Sequence, residues 1–174
     1  MDPERHQTEK MGHTITAILL KGQYNKAIAE EFDLHGVKLS DDITMFYIDF
    51  YFSAYWQAKL GVQGHLETNG VAHYRLPFEN VLAELMAKVS QTHPVTFALI
   101  ATNYFGGIGS QYANVYKERM LADENIKTIN QALSYLGVKK GTDLDEFDTI
   151  GLSQYRSNPE YLDKYTDLAD ELGV

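Results

Sequence analysis

The chain has 174 residues, of which 44% are hydrophobic and none is cysteine, and its formal net charge at pH 7 is −9. This length fits one domain with a buried core, and the hydrophobic content excludes disorder for most of the chain. The lack of cysteine excludes disulfides, thiolate nucleophiles and cysteine-ligated zinc, as expected in a reducing cytoplasm. No apolar run reaches the roughly 18 residues of a membrane span, and no apolar signal segment opens the chain. The sequence therefore predicts a soluble, cytoplasmic protein with no membrane partner.

The chain begins with a polar segment, followed by one strand and one helix. Residues 1–13 are predicted to form a disordered extension before a single domain over residues 14–174. β-Branched and apolar residues from Thr14 to Leu20 predict the first strand. The apolar residues that follow recur at helical spacing, and Gly36 is predicted to end this helix in the left-handed conformation.

The aromatic stretch from Met45 to Leu60 fits either a strand or a helix. Its aromatic residues favour a strand, whereas its length and the stop at Gly61 favour a helix, and we predict a helix over residues 46–60. Asp49 is the charged residue in the apolar part of this stretch, and a carboxylate there needs a partner, an opening or a shifted pKa. It is therefore either a structural carboxylate or a weak candidate for a catalytic acid or base.

A second strand and helix are predicted in residues 71–89. Alternation from Val71 to Leu76 predicts a short strand, and Pro77 is predicted to open the helix. The apolar residues of the helix recur at i, i+3, i+4 and i+7, which is typical of one buried face. They are Phe78, Val81, Leu82, Leu85, Met86 and Val89.

The most apolar run, from Val95 to Ala101, predicts a central strand. It leads into the glycine-dense segment Gly106-Gly107-Ile108-Gly109, and Tyr112 to Lys117 is predicted to return as an antiparallel strand. The connection is therefore predicted to be a long hairpin loop.

The glycine-dense segment does not have the pattern of a phosphate loop. It contains no GxGxxG, no GxxxxGK[ST] and no lysine or arginine. Its backbone amides can instead hold a carboxylate or an oxyanion, or they simply form a tight hairpin. The candidate ligand-binding residues are Asn103, Tyr104, Gly106, Gly107, Gly109 and Gln111.

The last third is predicted to contain two helices and one short strand. Asp123 is predicted to cap a helix, residues 149–152 to form a strand, and Asn158-Pro159 to start the last helix. The whole chain therefore predicts an α+β fold, in which about five helices pack on a small mixed or mostly antiparallel sheet.

Acidic residues are concentrated in residues 141–174, with nine acids against two bases and a net charge of −7. Such a charge disfavours nucleic acid and favours a basic protein or a cation as partner. The candidate partner-binding residues are Asp143, Asp145, Glu146 and Asp148.

No metal site or cofactor is predicted. The acidic run fails as a calcium loop because Phe147 occupies a ligand position and Gln154 replaces the bidentate glutamate. The six histidines show no HExxH or similar spacing.

Two segments, TNYFGGIGSQYANVY and DEFDTIGLSQYRSNPEYL, resemble stretches of small bacterial proteins of unknown function. The resemblance lies in the second half of the chain and centres on the FGGIGSQ stretch. It implies a bacterial origin and no particular activity.

Two functions therefore remain open, and the oligomeric state is open as well. The first is an acidic interaction protein that binds or neutralises a basic protein, as immunity proteins and inhibitors do. The second is a small enzyme or ligand-binding domain, with a pocket at residues 106–109 and Asp49 as its acid or base. The lack of a catalytic motif favours the first.

Overall fold

The computed structural model describes residues 12–70 and 76–174 and shows an α+β fold built on one antiparallel sheet. The strands are β1 (Thr16–Lys21), β2 (Val37–Lys38), β3 (Ile43–Tyr47), β4 (Thr96–Phe105), β5 (Ile108–Lys117) and β6 (Met120–Leu121). Their order in the sheet is β2-β3-β1-β4-β5-β6, and each pairing is antiparallel. The predicted fold class is therefore confirmed.

Six α-helices lie in the described part of the chain, where about five were predicted. They are α1 (Lys26–Glu31), α2 (Phe50–Leu60), α3 (Val81–Val89), α4 (Ile129–Tyr135), α5 (Glu146–Thr149) and α6 (Lys164–Glu171). The additional helix, α5, is little more than one turn. Within the same residues, no helix has the length and apolar character needed to cross a membrane.

The centre of the sheet is buried on both faces. On one face, Ile18 of β1 lies beside Leu99 of β4, and on the other, Ala17 lies beside Ile100. All four side chains are fully buried. A strand covered on both faces favours apolar residues at successive positions, which explains why Phe97 to Ala101 is continuously apolar rather than alternating.

Strands β4 and β5 form a hairpin with a two-residue turn. Phe105 pairs with Ile108, so Gly106 and Gly107 alone make the connection. Both glycines have positive φ (+60° and +81°), as a type I′ turn requires, and the twist of this turn matches that of the strands. The predicted long loop is therefore wrong, because both strands continue up to the turn.

The aromatic stretch contains both a strand and a helix. Residues 43–47 form β3 and residues 50–60 form α2, so the prediction of a helix from residue 46 was wrong for its first residues. Asp49 separates the two elements as the N-cap of α2, and its Oδ1 accepts a hydrogen bond from the Phe52 amide at 2.7 Å. Gly61 ends the helix in the left-handed conformation, as predicted.

Gly36 does not end the first helix. Helix α1 ends at Glu31, with Phe32 as its C-cap. A Cβ atom at Gly36 would lie 2.2 Å from the Tyr24 hydroxyl oxygen, so close packing explains the glycine there. Helical spacing in the sequence does not show that the Tyr24 side chain packs against the Gly36 backbone.

Two helices begin later in the chain than predicted. Helix α3 begins at Val81 instead of Pro77. Helix α4 begins at Ile129 instead of near Asp123, because Thr128 forms a capping box at its start.

The C-terminal segment also differs from the prediction. Residues 149–152 form no strand, because Asp145 caps α5 and the chain continues into a 3-10 turn. Asn158 does not cap the last helix. Its side chain accepts a hydrogen bond from the Thr16 amide and donates one to the Ile48 carbonyl, both at 3.0 Å, and so joins β1 to the end of β3.

Two predictions fall wholly or mostly on residues outside the described ranges. They are the strand at Val71–Leu76, of which only Leu76 is described, and the extension at residues 1–13. The last residues of that extension, Gly12 and His13, are described. His13 pairs with Tyr104 through two backbone hydrogen bonds of 2.8 and 2.9 Å, which prolongs the line of β1 along the hairpin.

Candidate functional site

A cleft of about 640 Å³ opens on one face of the β4–β5 hairpin, close to its turn. This volume lies within the range of roughly 300 to 1,000 Å³ that is usual for ligand pockets. The hairpin contributes Thr102, Tyr104, Gly106, Gly107 and Gln111. The chain before β1, the start of α4 and the segment around α5 contribute the rest of the lining: Gly12, His13, Ile129, Asn130, Asp145, Phe147, Ser153 and Arg156.

Gln111 organises the hairpin wall of the cleft. Its side-chain amide donates to the Tyr104 phenol oxygen at 3.0 Å, and its carbonyl oxygen accepts from the Ile129 amide at 2.7 Å. One residue therefore fixes both the phenol and the start of α4. Because the phenol oxygen already accepts a hydrogen bond, its own proton is left to donate to another group.

His13 joins three segments behind the cleft surface. Its Nε2 lies 3.0 Å from the Leu152 carbonyl oxygen, and because that oxygen only accepts, Nε2 carries the proton. Its Nδ1 lies 2.7 Å from the Thr102 hydroxyl, which also accepts from the Ile15 amide at 3.0 Å. In the neutral ring, the hydroxyl therefore donates to Nδ1 and both ring nitrogens are engaged, which gives His13 a structural role.

The surroundings of His13 favour its neutral form. Burial lowers the pKa of the ring below its usual value, the hydrogen bond to the Leu152 carbonyl opposes this, and the positive charge of Arg156 lowers the pKa further. At pH 7 His13 therefore adds no charge to the cleft.

Another part of the lining is built around Asn130. Its side-chain nitrogen donates to Asp145 Oδ2 at 3.1 Å, and its side-chain oxygen accepts from the Phe147 amide at 2.9 Å. Asp145 Oδ1 accepts from the Asp148 amide at 2.8 Å as the cap of α5. The Phe147 ring meets the His13 ring edge-on at 5.3 Å, so an aromatic surface extends from Asp145 toward the hairpin.

Arg156 provides the positive charge of the lining. Its Nη1 donates to the Gly12 carbonyl at 3.1 Å, and its own carbonyl accepts from the Thr14 amide at 2.8 Å. The described lining therefore carries one cationic side chain, Arg156, and one anionic side chain, Asp145.

The structure brings four of the six predicted ligand-binding residues to the cleft: Tyr104, Gly106, Gly107 and Gln111. Asn103 is exposed, and the strand alternation places it on the opposite face of the hairpin. Gly109 is a structural glycine, because a Cβ atom there would lie 1.9 Å from the Asn103 carbonyl oxygen.

Asp49 does not belong to this site. It follows β3, which is separated from the hairpin by β1. Burial raises the pKa of its carboxyl, and the hydrogen bonds from the Phe52 and Tyr51 amides partly oppose this. The structural interpretation of Asp49, a carboxylate bonded to the backbone, agrees with this geometry.

The four predicted partner-binding residues have different surroundings. Asp143 and Asp148 are exposed, and Glu146 is half-buried. Asp145 is also exposed, but its two oxygens are bonded within the protein and it lines the cleft. The acidic run therefore divides into outward-facing carboxylates and one carboxylate of the cleft.

Sequence reasoning missed His13 and Arg156 because their partners are distant in the chain. Thr102 lies 89 positions from His13, and Gly12 lies 144 positions from Arg156. One signal was present, since His13 continues the alternation of Ile15 and succeeding residues along one strand face. For Arg156, the signal was a base within an acidic segment.

Among the described residues, no group of three or more histidine, aspartate or glutamate side chains is placed to hold a metal ion. Comparisons of the chain with protein-family models, with curated proteins and with solved structures found no match. The bacterial origin implied by the sequence resemblance therefore remains a prediction.

Proposed function

We propose that this protein binds a small molecule in the cleft beside the Gly106–Gly107 turn. The observation that carries the proposal is that four separate chain segments meet around one concave space, with their polar side chains already fixed. Gln111 and Asn130 each hold two neighbouring groups in place. Polar groups that are fixed before binding lose little conformational entropy when a ligand arrives.

The lining has the mixed chemistry of a ligand site. Phe147 offers apolar surface, while Tyr104 and Ser153 offer hydroxyl groups that can donate hydrogen bonds. Asp49 has no part in this proposal. Within the lining that the structure describes, both nitrogens of His13 are bonded, so no free imidazole lies beside a nucleophile, and this favours binding over covalent catalysis.

A matched pair of substitutions tests the proposal. Ser153→Trp places a large side chain in the cleft, whereas Gln154→Trp adds the same side chain at an exposed neighbour outside it. A library of small polar molecules is screened by NMR for binding to the unmodified protein. Binding that is lost in Ser153→Trp and kept in Gln154→Trp supports the proposal. Hits that bind Ser153→Trp equally well, or a screen without hits, contradict it.

A second function, binding of a basic protein, is favoured by the exposed acidic run. Asp143 and Asp148 face outward, and Leu144 between them is 48% exposed, so the run offers both charge and apolar surface. The test is capture of a basic partner at low and at moderate salt, with Asp143→Lys/Asp148→Lys as the control. Failure to recover a basic protein that depends on these two residues contradicts this function.

The cytoplasmic location remains a prediction from the cysteine-free sequence.

A further inference from the structure

We propose that the molecule bound in the cleft is a neutral sugar, held through two adjacent ring hydroxyls by the side chains of Asp145 and Asn130. This inference rests on the proposed function, because it names the class of molecule that the cleft takes. Its basis is a carboxylate oxygen and an amide nitrogen that are bonded to each other within the lining, at 3.1 Å.

Asp145 and Asn130 present a hydrogen-bond acceptor and a donor side by side. Oδ2 of Asp145 accepts from Asn130 and Oδ1 accepts from the Asp148 amide, whereas a carboxylate has about four acceptor sites. Nδ2 of Asn130 carries two protons, and its bond to Asp145 uses one of them. The pair can therefore accept one further hydrogen bond and donate another at neighbouring atoms.

Two adjacent hydroxyls of a sugar ring match this pair. Their oxygens are about as far apart as the two atoms of a hydrogen bond, which is also the separation of Asp145 Oδ2 and Asn130 Nδ2. Each hydroxyl both donates and accepts, so one donates to the carboxylate while its neighbour accepts from the amide. The bond to the carboxylate is the stronger of the two because its acceptor is charged.

The pair is held in place before a ligand arrives. Oδ1 of Asn130 accepts from the Phe147 amide at 2.9 Å, and Oδ1 of Asp145 caps α5. Each side chain is therefore fixed by one atom while the other atom stays at the pair. Binding a sugar then orders few protein side chains, which lowers the entropic cost.

Phe147 provides apolar surface close to the pair. Its backbone amide is bonded to Asn130, and its half-buried side chain lines the cleft. The face of an aromatic ring is weakly negative, whereas the C–H groups of a sugar ring are weakly positive. A sugar therefore offers hydroxyls to Asp145 and Asn130 and C–H groups to Phe147.

Charged ligands fit the pair less well. A carboxylate has only acceptors and is repelled by Asp145. An ammonium or a guanidinium has only donors, so the second amide proton of Asn130 gains no acceptor. The hairpin adds no charge, since no acidic, basic or histidine residue lies between Val95 and Tyr116. Its contributions to the lining include the neutral side chains of Tyr104 and Gln111.

Matched sugars test this inference by NMR titration of the unmodified protein. The probes are the methyl pyranosides of D-glucose, D-mannose and D-galactose, each with its 3-deoxy counterpart. Removal of the 3-hydroxyl leaves no two ring hydroxyls on neighbouring carbons. We expect at least one of the three sugars to bind, and its 3-deoxy counterpart to bind about ten-fold or more weakly, because a hydrogen bond to a charged group is lost.

Two substitutions show whether Asp145 holds the hydroxyl pair. Asp145→Asn keeps a good helix cap while it removes the charged acceptor, and it is expected to weaken the sugar about ten-fold. In this variant the difference between the sugar and its 3-deoxy counterpart is expected to shrink to about two-fold or less. Asp123→Asn is the matched control, because Asp123 is exposed, lies outside the lining and also accepts a backbone amide hydrogen bond, from Asn125. It is expected to leave the affinity unchanged.

The outcomes separate this inference from the proposed function. If a 3-deoxy sugar binds as tightly as its parent, or if the difference between them persists in Asp145→Asn, the assignment of the hydroxyl pair is wrong. If the sugars do not bind while other small molecules bind in a manner that Ser153→Trp abolishes, the ligand class is wrong and the proposed function stands. If no small molecule binds, both are wrong.

Discussion

Asp49 shows how one residue ends a strand and starts a helix. Its backbone is extended, its side chain caps α2, and its carboxyl is half-buried with a raised pKa. The proton is therefore bound more tightly in the folded than in the unfolded protein, so ionisation of this group opposes folding. The cap is favourable, whereas the buried charge is unfavourable.

We predict different effects for Asp49→Ala and Asp49→Asn. Alanine removes the cap and is expected to lower the free energy of unfolding by about 1 kcal/mol. Asparagine keeps the cap without the charge, so it is expected to cost little at pH 7, and its stability relative to aspartate rises as the pH increases through the acidic range. Urea unfolding between pH 3.5 and 7 measures both. If Asp49→Asn lowers the free energy of unfolding as much as Asp49→Ala does, the ionised carboxylate itself is needed.

His13 gives the protein a pH-dependent stability of the opposite sign. Its pKa is lowered in the folded state, so the unfolded chain binds the proton first as the pH falls below about 6.5. The stability contributed by neutral His13 is present above that pH and is lost as the pH falls through the folded pKa. The side-chain amide of His13→Gln can both accept and donate hydrogen bonds. When the pH is lowered from 7.5 to 5.5, we expect this variant to lose less stability than the unmodified protein. Parallel urea curves at three pH values test this, and equal pH dependence in both proteins would be evidence against it.

At the scale of secondary-structure elements, Asp33 joins the end of α1 to α6. Its carboxylate accepts hydrogen bonds from the Lys164 ammonium, the Tyr165 hydroxyl and His35 Nε2, each at 2.7 Å. Burial alone would raise the pKa of Asp33, but these three bonds lower it below its usual range overall. Its contribution to stability is therefore present above about pH 4 and is lost as the pH falls through the folded pKa.

Replacement of Asp33 by alanine is predicted to cost about 1–3 kcal/mol at pH 7, because a buried tyrosine hydroxyl and an ammonium lose their acceptor. The variant is also expected to lose less stability than the unmodified protein when the pH is lowered from 5 to 3. Lys164→Ala is the matched control and is expected to cost less, because Lys164 is largely exposed. Chemical unfolding at both pH values provides the measurement. Equal costs for the two variants would contradict the central role of Asp33.

The hairpin contains glycines of two kinds, and they predict two results. Gly106 has a φ of +60° with open space around its Cβ position, so Gly106→Ala is expected to cost about 1–2 kcal/mol from backbone strain alone. A Cβ at Gly109 would lie 1.9 Å from the Asn103 carbonyl oxygen, so Gly109→Ala is expected to cost at least the upper part of the roughly 1–3 kcal/mol range for overpacking. Thermal unfolding compares the two variants. A larger loss of stability for Gly106→Ala than for Gly109→Ala would contradict this description of the hairpin.

The sequence was most informative where structure depends on local pattern. The mostly apolar run from Val95 predicted a central strand because burial on both faces favours apolar residues at successive positions. The glycine pair drew attention to Tyr104 and Gln111, which do line the cleft. Aromatic residues suit strands and helices alike, so only the cap at Asp49 shows where β3 gives way to α2.

The site itself could be predicted only in part, for a physical reason. The hairpin part of the lining is local in sequence, but the rest comes from residues before β1, at the start of α4 and around α5. The bond from Arg156 to Gly12 and the bond from His13 to Thr102 depend on how the sheet and helices pack, which no local spacing records. Asp145 was predicted as a partner-binding acid because sequence alone does not show which carboxylates line a cleft.

At the scale of the whole molecule, two surfaces with different electrostatics compete as the functional one. The described lining of the cleft is mostly uncharged, whereas Asp143 and Asp148 are exposed acids. Salt strongly screens the interactions of exposed charges. A partner that binds Asp143 and Asp148 is therefore expected to lose more affinity as salt increases than a ligand that is held in the cleft by neutral groups such as Tyr104 and Gln111.

The central claim is that the cleft on the hairpin is the binding site, and an NMR titration with the tightest-binding molecule from the small-molecule screen tests it most directly. We predict saturable shifts in the backbone amide signals of Gly106, Gly107, Ile129 and Phe147, which persist in Gln154→Trp and vanish in Ser153→Trp. Shifts centred on Asp143 and Asp148 instead, or shifts that remain unchanged in Ser153→Trp, would contradict the claim.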